Sequence, residues 1–81
     1  MGGGSSLVRL GKADVWAYVV ETAEGLRLRL SLDEWEGTGL HPGQRVPVRR
    51  AGRWDESLFL AEAVAVPPLV WLVMLGRAGA G

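Results

Sequence analysis

The sequence predicts a mainly β protein, a small five-stranded, partly open barrel with one short helical turn. Three observations lead there. Leu26, Leu28, Leu30 and Leu32 alternate with Arg27, Arg29 and Ser31, a period of two that a helix would scatter around its surface. The turn-forming words ETAEG, GLHPGQ and AGRWDE punctuate the apolar runs, as they do between short strands. The chain has 81 residues, enough for one domain with a thin core, since a domain of roughly this size buries only about 60% of the surface its unfolded chain exposes.

Each element follows from local chemistry. Met1–Ser6, with three consecutive glycines, reads as a flexible lead-in, because glycine runs lose much backbone entropy on ordering. Leu7–Thr22 reads as one strand region, with Val15, Ala17 and Val19 on one face and Trp16, Tyr18 and Val20 on the other. Both faces are apolar, which suggests a central strand or one covered from outside. Ala23–Gly25 turns the chain into the Leu26–Leu32 strand. Ser31 then stands three residues before Glu34, the spacing of a capping box, and Asp33 and Glu34 would sit in a first turn that favours acids. A single helical turn is therefore expected over Leu32–Glu36, with Trp35 packing inward and Gly37 closing it.

Pro42–Gly43 suits the centre of a type II turn and introduces a strand over Arg45–Arg50. Pro47 lacks a ladder donor, so this strand should lie at an edge or pair on one side there. Ala51–Glu56 reads as a polar loop, and Ser57–Val66 as a strand broken by Pro67 and Pro68. Leu69–Leu75 fits a strand, and one to two turns of helix nearly as well, and periodicity over so few residues does not separate the two. The barrel is assigned to residues 7–75, between the lead-in at 1–6 and a glycine-rich tail at 76–81. Oligonucleotide-binding (OB-like) and SH3-like barrels are both built from such parts. The order strand, strand, helical turn, strand, strand, strand matches neither strictly.

Composition narrows the function classes. Apolar residues make up 48% and charged residues 22%, the balance of a folded chain rather than a disordered one. There is no cysteine and one histidine, so neither a disulfide nor a four-ligand zinc site is expected, and no cofactor is implied. His41 precedes Pro42 in a tight turn, where an exposed turn role is the simplest reading. Asp33, Glu34, Glu36, Asp55 and Glu56 lie in turns and loops, where solvation alone would place them. A thin core leaves little room for a deep pocket, and the expectation is a non-enzymatic chain. GGGSS lacks the lysine and the preceding strand of a phosphate loop. With no basic segment leading into an apolar stretch, a cytoplasmic location is expected. The absence of asparagine is compatible with a thermophilic source.

Nine basic and nine acidic residues give zero formal net charge, against the basic balance typical of general nucleic-acid binders. A local basic face is still compatible with that balance: Arg27, Arg29, Arg45, Arg49, Arg50 and Arg53 with the aromatics Trp16, Tyr18, Trp35 and Trp54 could track a single strand by stacking. That is the alternative reading, centred on Arg27, Arg29, Arg45, Arg49, Arg53 and Trp54. The leading one is self-association, or binding to a partner protein. From Ala63 to Gly76 no residue is charged over 14 positions, short of the roughly 20 that span a bilayer, and a membrane-surface role is not favoured. Together with the two-sided apolar strand near the start, this is more apolar surface than one thin core hides, and exposed apolar patches mark interfaces. Leu69, Trp71, Val73, Leu75, Trp16 and Tyr18 are the interface residues this reading selects.

The segment Gly39–Arg49, GLHPGQRVPVR, resembles the turn and strand found in many small barrels, among them accessory barrels of transport ATPases and swapped-hairpin transcription regulators. The second likeness would imply a DNA-binding dimer, from which the balanced charge and the apolar C-terminal run depart. Any tight turn before a short strand produces similar letters, so neither family is assigned.

Overall fold

The computed structural model describes residues 3–50 and 56–76. Six strands and one helix follow in the order β1 (Gly3–Leu10), β2 (Ala13–Glu21), β3 (Gly25–Ser31), α1 (Leu32–Thr38), β4 (Arg45–Arg50), β5 (Glu56–Val66) and β6 (Leu69–Leu75). The strands form a closed barrel in the order β1-β2-β3-β6-β5-β4, and every neighbouring pair is antiparallel. The expected five-stranded, partly open barrel is thus corrected to six strands and closure, while the mainly β character and the single short helix stand as read.

The sixth strand comes from dividing the Leu7–Thr22 region. Leu10 pairs with Ala13 across a two-residue connection, Gly11–Lys12. Gly11 has φ +65°, the left-handed value that a glycine-first hairpin loop requires. The Gly11 N–H donates to the Pro47 carbonyl at 2.8 Å, fixing the hairpin tip against β4. β1 begins at Gly3 rather than Leu7: Gly3–Ser6, expected as a lead-in, pair in register with Val20–Ala17. Cross-strand pairing supplies what glycine's own propensity does not.

β4 occupies the span expected of it. It meets β5 through Arg45–Val48 and β1 only through Val48–Arg50, so the strand-to-strand register on the β1 side begins just past Pro47, as a residue without a donor demands. Leu69–Leu75 resolves as a strand, β6, in the middle of the sheet between β3 and β5. Pro67 and Pro68, joined by a cis peptide, form the β5–β6 hairpin turn. The Pro68 carbonyl accepts from the Leu32 N–H at 2.9 Å, tying that turn to the start of α1.

The helix is longer than the single turn expected. It runs to Thr38 and ends at Gly39, which adopts φ +72° as the cap. Ser31 caps the other end: its Oγ accepts from the Glu34 N–H at 3.1 Å and donates to Glu34 Oε1 at 3.3 Å. Leu32, Trp35 and Leu40 pack against the core from the helical side, so α1 closes one end of the barrel. At the turn before β4, Gly43 has φ +99°, as a type II turn requires.

Inside, the barrel is apolar throughout. Val8 and Leu10, then Val15, Ala17 and Val19, then Leu26, Leu28 and Leu30, with Val46, Val48, Leu58, Leu60, Val70, Leu72 and Met74, form one buried cluster. No polar or charged residue is buried among the described residues.

Candidate interaction surface

Because the interior is filled by side chains, any partner must be met on the outside. Alternate residues of each strand point there, and the pairing registers set them in rows across the sheet. One row runs Ser5, Tyr18, Arg29, Trp71, Val64, crossing β1, β2, β3, β6 and β5. The next runs Gly3, Val20, Arg27, Val73, Glu62. On one side of these, Leu69 pairs with Ser31 and Val66; on the other, Leu75 pairs with Gly25 and Phe59. Trp16 lies opposite Leu7 on β1.

The outer surface that these rows cross is unusually apolar for solvent. Trp16 is 58% exposed, Leu7 54%, Val66 55% and Val64 47%, while Leu69, Trp71, Val73 and Leu75 are half-buried by their strand neighbours. The six residues selected as interface candidates lie on two strands that β3 separates. Leu69, Trp71, Val73 and Leu75 line the outside of β6, and Trp16 and Tyr18 the outside of β2. Val64 and Val66 add aliphatic surface beside β6, and Leu7 adds it beside Trp16 on β2, which the sequence alone did not single out.

Arg29 holds the middle of the aromatic row. Its guanidinium carbon lies 4.9 Å from the Tyr18 ring centroid and 5.6 Å from that of Trp71, within range of cation–π attraction to both. The two rings and the cation between them fix side chains from three strands in one stack. Trp16 is steadied differently. Its main-chain N–H donates to Glu34 Oε2 at 3.2 Å, so the carboxylate that completes the Ser31 cap also holds β2 where β3 has given way to the helix.

The arginines do not form one face. In the six-strand ring β3 and β4 are separated by two strands in either direction, so Arg27 and Arg29 project from one side, and Arg45 and Arg49 from the other. Arg53 and Trp54 lie outside the described residues. Arg50 is turned to the barrel end opposite α1. Its side chain is 11% exposed and reaches Glu21 Oε2 at 3.0 Å and Glu56 Oε2 at 3.5 Å, joining the ends of β4, β2 and β5. Arg9 pairs with Asp14 at 2.9 Å across the β1–β2 hairpin. That hydrogen bond holds the Asp14 carboxyl below its ordinary value.

The remaining candidates are dispersed. Asp33 and Glu36 are exposed on α1, Glu34 is engaged as described, and Asp55 lies outside the described residues. His41 is exposed, and its N–H donates to Gln44 Oε1 at 2.7 Å within the turn. Among the described residues no group of three or more His, Cys, Asp or Glu side chains is placed to hold a metal ion. Two surface hollows, one beside Arg9, Gly11 and Pro47 and one beside Arg50, have volumes of about 190 and 150 Å³, below the roughly 300 Å³ at which ligand pockets begin. No helix among the described residues is long and apolar enough to cross a membrane.

No protein-family model, no curated protein and no solved structure matches the chain.

Proposed function

We propose that this chain is a non-enzymatic interaction module that self-associates through the outer face of its barrel. The observation that carries the reading is the outer side of β2, β3 and β6: Tyr18 and Trp71 stack on Arg29, and Leu69, Val73 and Leu75 continue the apolar surface along β6, all outside a core that is already complete. Burying such side chains yields about 25 cal/mol per Å² of apolar surface removed from water. Tryptophan and tyrosine are the residues that most often anchor interfaces.

The alternative, nucleic-acid contact through an arginine and aromatic face, has less support. Arg29 is occupied by two rings of its own chain, and Arg45 and Arg49 lie across the barrel from Arg27.

The test is the mass of the protein in solution across a concentration series, with and without Trp71→Asp. The unaltered chain is expected to associate, and the variant to be monomeric with its folded spectrum retained, because Trp71 points away from the core. A monomer in both cases would sink the proposal.

A further inference from the structure

The register of the outer face contains a charge pattern that selects one way for two copies to meet. Val73 sits at the centre of β6. Its Cα partner on β3 is Arg27 and its partner on β5 is Glu62. The cation and the carboxylate thus flank the same valine, each one strand away, about 4.8 Å. Both are exposed, and among the described residues neither forms an ion pair within its own chain. The rows on either side, through Trp71 and through Leu75, are apolar along β6.

Two copies can stack this face on itself with a twofold axis in the contact plane in two simple ways. With the axis across the strands at Val73, β3 lies over β3 of the other copy, so that Arg27 opposes Arg27 and Glu62 opposes Glu62. With the axis along β6, β3 of one copy lies over β5 of the other. Arg27 then opposes Glu62 of the other copy, and Glu62 opposes its Arg27. Like charges brought together across an interface are strongly disfavoured and opposite ones fix register. We infer that two copies of the chain pair as an isologous dimer about an axis running along β6, with Val73 and Trp71 at the centre and two reciprocal Arg27–Glu62 ion pairs at its flanks. Every contact in such a dimer occurs twice, so the charge pattern counts twice as well. The inference rests on the self-association proposed above and specifies its geometry.

The experiment uses charge reversal and mixing, read by sedimentation or light scattering of the full chain, with melting curves confirming that each variant is folded. Arg27→Glu alone sets a second carboxylate against Glu62 at both flanks, and Glu62→Arg alone sets two arginines together at both. Each is expected to weaken dimerisation roughly tenfold or more. Mixing the two variants in equal amounts restores opposite charges across the heterodimer: one flank pairs two carboxylates only if both come from the same variant, and in the mixed pair each variant brings two groups of one sign to meet two of the other. A heterodimer of near-unaltered strength is therefore expected from two chains that separately fail to pair. If the unaltered protein dimerises but the single reversals leave its affinity unchanged, or if the mixture stays monomeric, the β6-axis dimer is wrong while self-association stands. If the unaltered protein is monomeric at every concentration, both fall.

Discussion

Gly25→Ala is expected to lower the stability of the fold by about 3 kcal/mol, the upper end of what overpacking costs in well-packed proteins. Gly25 opens β3 and pairs with Leu75. A Cβ built there would overlap the Met74 carbonyl oxygen and press on Gly76 N at 2.9 Å and Leu75 Cα at 3.0 Å. All three are backbone atoms, which cannot rotate aside as the end of a side chain can. The seam they belong to is closely tied, since the Gly76 N–H donates to the Glu24 carbonyl at 2.6 Å and the Thr22 N–H to the Gly25 carbonyl at 2.8 Å. Gly25 is required here for lack of bulk, not for a left-handed backbone. Gly37→Ala is the control. Gly37 lies within α1 with nothing inside 4 Å of a Cβ, so alanine there is expected to stabilise by about 0.5–1 kcal/mol. Urea midpoints of the two variants should move in opposite directions, and an unshifted Gly25→Ala midpoint would show that β3 and β6 part easily at that end.

Much of the fold was legible because local rules and tertiary packing agree. The leucine alternation of β3, the Ser31–Glu34 cap and the Pro42–Gly43 turn appear in the structure where the residues placed them. The β1–β2 division was missed, although a signal for it exists. Val8 and Leu10 are buried at even positions, and Val15, Ala17 and Val19 at odd ones. No uninterrupted strand can bury both sets, because successive side chains alternate faces. The phase change falls on Gly11–Lys12, the hairpin loop. The irregularity between Leu60 and Glu62 shifts the phase of β5 in the same way, but there Ala61, Ala63 and Ala65 blur which face is which. Closure itself was not legible, because the β1–β4 contact joins residues some 40 positions apart and no local preference encodes it.

The candidate surface was legible in part for the same reason. That β6 has two apolar faces is plain from its letters, and a thin barrel can bury only one. Which outer side chains become neighbours depends on registers between strands distant in sequence. The placing of Arg29 between Tyr18 and Trp71 joins residues from β2, β3 and β6, and the flanking of Val73 by Arg27 and Glu62 joins β3, β6 and β5. Ring order, too, rather than composition, decides that the arginines of β3 and β4 face apart.

Leu72→Ala is expected to cost about 3–4 kcal/mol of folding stability, within the range for leucine truncation in a core. Leu72 is fully buried and sits in register with Leu28, also fully buried, on β3 and with Ala63 on β5. The cavity would open at the middle of the barrel, where closure on all sides prevents strands from moving inward to fill it. For a domain of this size, with total stability of roughly 4–12 kcal/mol, a large share of the native state's advantage would be lost. The adjacent Trp71→Ala provides the contrast. Trp71 points outward, half-buried against Arg29 and Val64, so its removal forfeits a cation–π contact and some outer packing, about 1 kcal/mol. The two substitutions, one residue apart, are expected to separate two functions of the same strand. Leu72→Ala should shift the denaturation midpoint strongly, yet leave association intact in whatever fraction remains folded. Trp71→Ala should shift the midpoint little and weaken association. If the larger stability loss followed Trp71 instead, the outer face would belong to the monomer's own packing, and a partner would no longer be needed to account for it.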